Sequence, residues 1–182
     1  MTNHAPANLL LTGPPGTGKT TAIRRALRLL SGVAVGGFHT EAIEEGGQRV
    51  GFRIADVRGP SGVLAHVALA SGPRVSRYRV NVEDVERIGT AALQAALESA
   101  DLIVCDEIGR MELFCPGFRA AIVECLDSPK PLVGTIQARR DSFLDEVRAR
   151  RDVELLTLGP DNRDAVPGLL AGWVRQRLNG GR

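Results

Sequence analysis

The sequence predicts an α/β fold: a mostly parallel central sheet with helices on both faces and an antiparallel hairpin insertion at one edge. Near the start of the chain an apolar strand passes through a glycine-rich loop into an amphipathic helix. From Leu102 onward apolar strand segments alternate with helical ones. Between the two lie a pair of alternating segments joined by Glu44-Glu45-Gly46-Gly47, a hairpin turn signal. Strands that alternate with helices pair in parallel through right-handed crossovers. At 182 residues the chain can bury a full core in one such domain.

Asn8–Thr12 reads as a short buried strand, preceded by a disordered tail over Met1–Ala7. Thr20–Leu30 reads as a helix, because Ile23, Ala26, Leu27 and Leu30 fall on one apolar stripe. Gly36–Ile43 and Gln48–Val57 form the hairpin strands. Phe38, Thr40 and Ala42 alternate with Gly37, His39 and Glu41 on the first, and Val50, Phe52 and Ile54 share a face of the second. Val63–Ala68 is a candidate third antiparallel strand. Asn81 caps a helix over Val82–Ser99 that turns Val85, Ile88, Ala92 and Ala96 inward. The alternation then resumes with strand Leu102–Asp106, a helix with Pro116 in its first turn, and strand Leu132–Ile136. Helix Ser142–Arg150, strand Val153–Leu158 and a last helix from about Ala165 to Leu178 complete it. No repeat, low-complexity tract or linker divides the chain.

A formal charge of +2 does not mark a nucleic-acid binder, and clusters such as Arg24-Arg25 and Arg139-Arg140 read as solvated helix faces. No apolar run has membrane-spanning length and no charged leader precedes one. Cys105, Cys115 and Cys125 lack C-x-x-C spacing, so neither a zinc site nor a disulfide framework is indicated. The expectation is a reduced, cytoplasmic protein without membrane partners, and a monomer, since no long exposed apolar stretch calls for an obligate dimer.

The chemistry begins at Gly13-Pro14-Pro15-Gly16-Thr17-Gly18-Lys19-Thr20, followed by Thr21, a full match to the phosphate-binding P-loop G-x-x-x-x-G-K-[ST]. Lys19 is one of two lysines among 23 basic residues. A compact ammonium suits the β- and γ-phosphates where a planar guanidinium would fill their space. Strand, loop and helix converge backbone N–H groups and a helix N-terminus on one anion. A nucleoside triphosphate is the expected ligand.

Ligands of such sheets lie beyond the carboxyl ends of the strands. Leu102-Ile103-Val104-Cys105 ends there in Asp106-Glu107. A carboxylate closing a buried strand is the second half of a P-loop site. Asp106 and the Thr20 hydroxyl are therefore the expected holders of Mg²⁺, and Glu107 is placed to take a proton from an attacking water. Thr135 and Gln137, at the end of Leu132–Ile136, are candidates to sense the γ-phosphate or position that water. Asn162-Arg163-Asp164 bears a partial likeness to the base-recognition signal N-K-x-D, with Asp164 also a candidate helix cap. Asn162 and Arg163 are thus candidate nucleotide contacts, without guanine specificity. Developing charge on the γ-phosphoryl calls for a further cation. Arg110, three residues past Glu107, is the first choice over Arg74, Arg77, Arg139, Arg140 and Arg163. His39 reads as structural, Glu41 as a better polar candidate, and Trp173 as helix packing.

GPPGTGKTT, GGFHTEAIEEGGQRVGFRIADV, VCDEIGRMELF, VGTI and the late NRD, in this order, resemble the small P-loop nucleoside-triphosphatase family of the cancer-related type. The similarity spans nearly the whole chain, and Asp106-Glu107-Ile108-Gly109-Arg110-Met111-Glu112-Leu113 is its most specific mark. The resemblance implies Mg²⁺-dependent hydrolysis of nucleoside triphosphates, ATP, GTP, CTP and UTP alike, to diphosphate and phosphate. It also implies a RecA-like core with strand Leu132–Ile136 between the P-loop strand and the acid-pair strand. This chain departs from the pattern at His39 (usually Tyr), Arg110 (usually Lys) and Ser76 (usually Gly in V-G-x-Y-x-V). Two other readings stay open from sequence. A nucleoside or nucleotide kinase would use the Arg74–Arg79 stretch as a lid, and a nucleotide-gated module would bind RNA or a protein partner through its arginines.

Overall fold

A computed structural model of the chain describes residues 7–180. Met1 to Pro6 of the expected tail lie outside the described residues. Ala7 is already anchored, its carbonyl accepting a hydrogen bond from Leu132 N at 3.3 Å.

Among the described residues nine strands form one sheet. They are β1 (Asn8–Thr12), β2 (Val35–Glu45), β3 (Gln48–Asp56), β4 (Ser61–His66), β5 (Arg74–Val75), β6 (Tyr78–Val80), β7 (Leu102–Ile108), β8 (Leu132–Ile136) and β9 (Val153–Thr157). Their order is β5-β6-β4-β3-β2-β7-β8-β1-β9. From β2 to β9 all neighbours are parallel, and from β2 outward to β5 all are antiparallel. The expected hairpin is therefore no appendage. The first half of β2 pairs in parallel with β7, His39 lying opposite Asp106, and its second half continues past the end of β7, paired with β3 alone. As the resemblance implied, β8 separates the P-loop strand β1 from the acid-pair strand β7.

Period-two alternation sends each strand's side chains to two cores. Leu9 and Leu11 of β1 and Leu102 and Val104 of β7 pack beneath α1 (Lys19–Arg28) and α6 (Val166–Gly180). Leu10, Ile103 and Cys105 face the opposite side, with Val85 and Ile88. That side is built by α2 (Val82–Asp84), which runs through a π-helical turn over Val85–Thr90 into α3 (Ala91–Ser99), and by α4 (Pro116–Asp127) and α5 (Ser142–Ala149). The expected stripe Val85, Ile88, Ala92 and Ala96 is fully inside, and the Asn81 side chain caps the helix by accepting from Asp84 N. Phe38 and Phe118 lock the hairpin root to α4 edge-to-face, ring centres 5.3 Å apart. Cys105 and Cys125 are buried core residues, as expected. Among the described residues no helix is long and apolar enough to cross a membrane.

Candidate functional site

The Gly13–Thr20 loop leaves β1 and feeds the N-terminus of α1. Gly18 caps that helix without any side-chain hydrogen bond, no acid stands in its first turn, and Arg25 and Arg28 fall in its last. The first-turn N–H groups are thus directed at the loop with no internal acceptor, and the helix dipole favours an anion there. The Lys19 ammonium lies over the loop, donating to the carbonyls of Gly13 at 2.9 Å and Pro14 at 3.1 Å. Thr17 is tied into the turn through the Pro14 carbonyl.

Across β8, the acid pair sits on a local irregularity of β7. Cys105 pairs with Gly134 and Ile108 with Ile136, so two residues, Asp106 and Glu107, stand against Thr135 alone. In a regular strand adjacent side chains point to opposite faces, and an extra residue re-aims them. The Asp106–Glu107 peptide is cis. Asp106 is 1% exposed. Its Oδ1 accepts from the Thr20 hydroxyl at 3.2 Å and the Thr135 hydroxyl at 2.8 Å, while its buried Oδ2 has no partner among the described residues. Burial pushes the Asp106 carboxyl up, against those two hydrogen bonds.

Glu107 is partly buried beside it. Burial raises its carboxyl too; the Lys19 charge opposes this, Asp106 adds to it, and a hydrogen bond from Gln137 again opposes it. Gln137 accepts at its other end from Arg110 N at 3.1 Å. It therefore braces Glu107 against the turn after β7. Glu112, in the helical turn Glu112–Phe114, completes this group. A Cβ on Gly109 would lie 2.6 Å from Gln137 Nε2 and 3.1 Å from Glu112 Oε2. Glu112 is 3% exposed, and burial, followed by the charge of Glu107, pushes its carboxyl up to about 8.

That shift has a thermodynamic consequence. The folded chain keeps a proton on Glu112 that the unfolded chain releases near 4.5. The resulting stabilisation is complete below that value and is lost as pH climbs through about 8. Glu112→Gln keeps the shape and removes the titration, so its Tm should gain on the wild type as pH rises from about 5 to 9. Thermal unfolding across that range checks it, and parallel pH profiles for the two proteins would contradict it.

A cavity of about 710 Å³ joins these parts. The loop from Gly13 to Thr21 forms one wall, Glu107 and Thr135 the floor, and Gln137 and Arg139 one end. The overhanging hairpin supplies the far wall with Thr40, Glu41, Arg49 and Phe52. Glu41 is ion-paired with Arg24, which holds its carboxyl below the usual range, and His39 Nε2 lies 3.5 Å from it. Beside the loop, a second cavity of about 320 Å³ is lined by Gly16, Gly18, Thr21, Arg25, Arg163 and Asp164.

The structure thus gathers Lys19, Thr20, Asp106, Glu107 and Thr135 at one place and sets Arg163 next door. Two expected contacts are not brought in. Asn162 spends its amide on its own loop, accepting from Gly159 N and donating to the Thr157 carbonyl, both at 2.9 Å. Arg110 does not line either cavity; its backbone N–H donates to Gln137 Oε1. The lid candidates are also committed elsewhere: Arg74, Arg77 and Arg79 donate to the carbonyls of Ser76, Arg49 and Gly72. Arg49 went unremarked in the sequence, and Glu112 entered only as part of the family-like run from Asp106 to Leu113. Glu112 stands in an apolar run that hides its burial, and Arg49 is one arginine among many.

The chain matches the family model described as NTPase over residues 8–170. It is 45% identical over 172 residues to the nucleoside-triphosphatase THEP1 of Thermofilum pendens, covering 92% of this chain and 94% of the relative. It is 36% identical over 180 residues to the cancer-related nucleoside-triphosphatase homolog of Mus musculus, covering 90% and 95%. The crystal structure of THEP1 from Aquifex aeolicus superposes with a TM-score of 0.83 at 30% identity, over 92% of this chain and 98% of that one. With similarity running from the P-loop strand into the last helix, the chain belongs to the NTPase family, together with the THEP1 and cancer-related nucleoside-triphosphatases.

Proposed function

We propose that this chain hydrolyses nucleoside triphosphates to diphosphate and phosphate, with Mg²⁺, with little regard for the base, and with Glu107 activating the water. The hydrolysis of nucleoside triphosphates follows from the family. The observation that supports the finer reading is the hydrogen bond from the Thr20 hydroxyl to Asp106 at 3.2 Å, made in a site that Lys19 and Glu107 share.

The donor set suits Mg²⁺. Among the described residues the buried Asp106 Oδ2 has no donor, which is costly unless a cation or its hydration shell meets it. One hydroxyl and one carboxylate, completed by phosphate oxygens and water, is the manner in which Mg²⁺ is held. When bound, Mg²⁺ would neutralise charge on the β- and γ-oxygens. The loop N–H groups and Lys19 hold the phosphates and draw charge toward the leaving oxygen. Glu107, its carboxyl pushed above the ordinary value by burial, takes the proton from a water in line with the γ-phosphoryl. Gln137 fixes the orientation of that carboxylate.

Base tolerance is supported by the second cavity. Asn162 is unavailable for reading a base edge, and Asp164 faces Arg25 at 3.9 Å. A site that hydrogen-bonds one base rejects others by roughly 10⁴-fold; here ATP, GTP, CTP and UTP should be cleaved within roughly tenfold of each other. Phosphate release from all four, with Mg²⁺ and with a chelator, tests this. Release should vanish without the metal. Tight nucleotide binding with no release in Mg²⁺ would sink the hydrolase reading and point to phosphoryl transfer onto an acceptor.

A further inference from the structure

The site as described has one cation on the phosphate loop and none assigned to the open side of the γ-phosphoryl. Two arginines line the cavity that holds Lys19 and Glu107, Arg49 on β3 and Arg139 after β8. Their settings differ. Arg139 stands on the same connection as Gln137, and its backbone carbonyl accepts from the Arg148 guanidinium at 3.0 Å. Arg49 stands on the hairpin strand β3 and lines the cavity together with the loop. Its guanidinium carbon lies 5.5 Å from the Phe52 ring centre. Phe52 in turn packs edge-on against Tyr78, centres 5.2 Å apart at 70°. The Arg49 carbonyl accepts from the Arg77 guanidinium and, at 3.4 Å, from the Tyr78 hydroxyl. Arg77 itself lies over the Tyr78 ring at 5.3 Å. Among the described residues Arg49 forms no ion pair.

These contacts make a stack, Arg49–Phe52–Tyr78–Arg77, that fixes both backbone and side chain of a cation lining the same cavity as the P-loop. A guanidinium on an aromatic face keeps its N–H edge free for oxygen acceptors. We infer that Arg49 is a further catalytic residue, an arginine supplied by the chain's own hairpin to the γ-phosphoryl group, and that β5 and β6 are its support. The inference rests on the hydrolase reading. An arginine acting on transition-state charge lowers kcat and leaves ground-state binding largely alone.

The test is phosphate release from ATP with Mg²⁺ by wild type, Arg49→Ala, Arg49→Lys, Phe52→Leu and Arg139→Ala, with ADP binding measured with and without aluminium fluoride. Arg49→Ala should lower kcat by about 10²-fold or more with KM within about threefold. It should also lose the tightening of ADP by aluminium fluoride. Arg49→Lys should not restore the rate, because the ammonium lacks the planar fork, and Phe52→Leu should fall between. Arg49 is exposed, so the Ala variant should keep its Tm. An unchanged kcat in Arg49→Ala, a rise in KM alone, or a kcat loss that follows Arg139→Ala instead would overturn the inference while leaving hydrolysis intact. A wild type that releases no phosphate would sink the hydrolase reading, and this inference with it.

Discussion

Glu107→Gln is expected to lower phosphate release by about 10³-fold while ATP affinity stays within a few-fold of the wild type. The amide keeps the size of the carboxylate and still reaches Gln137, so the floor of the cavity is not reshaped. It cannot take a proton from water. Binding comes chiefly from other groups: the loop N–H groups, Lys19 and the Thr20–Asp106 pair, which the substitution leaves in place. Phosphate release and a nucleotide-binding titration on the same samples separate the two effects. If binding falls together with turnover, Glu107 holds the nucleotide or its metal rather than the water. If turnover is untouched, the proton goes elsewhere.

Gly37→Ala should cost on the order of 5 kcal/mol and leave little folded protein. Gly37 has φ 106, where a side chain is strained, and an added Cβ would lie 2.1 Å from the Val104 carbonyl oxygen and 2.9 Å from Val104 N. Neither contact can relax by rotating a side chain, because both are backbone. Nor can β7 step aside, since β2 and β8 hold it on either side. Val104 lies two residues before Asp106, so any shift that accommodates the methyl also displaces the acid pair. Urea unfolding of whatever soluble protein is recovered checks it; a midpoint near the wild-type value would show that β2 and β7 can part without cost.

Much of this molecule was legible as pattern. The stripe from Val85 to Ala96 and the apolar runs of β1, β7 and β8 are direct signals of burial, and each element expected around them is present. The P-loop and the acid pair were legible because their chemistry demands particular residues at particular spacing. What escaped detection depends on where side chains go at turns. Arg110 and Asn162 both follow strand ends, as active-site residues do, but Arg110 lines neither cavity and the Asn162 amide is committed to its own loop. The β5–β6 hairpin is too short, with strands of two and three residues, to show a period. Its turn also carries Ser76 at φ 57, a left-handed conformation in which a glycine would fit without the roughly 1 kcal/mol that a side chain costs. The π-helical turn at Val85–Thr90 left the helix's inward face unchanged and so gave no sign of itself.

The place of β1, between β8 and β9, bears on how the chain is made. Asn8 lies opposite Leu132 on one side and Val153 on the other, so the first strand to emerge acquires both its neighbours from the last third of the polypeptide. The antiparallel half closes from contacts close in sequence and can organise early, whereas Leu9-Leu10-Leu11 waits, exposed, until residues beyond Pro131 have been synthesised. Long-range parallel pairing of this kind is slow and leaves apolar surface open to aggregation. The phosphate loop hangs from that same strand, so it takes shape only when the sheet is finished. Nucleotide can therefore stabilise the completed fold but cannot template it, and a chain stopped short of β8 has nothing with which to recognise its substrate.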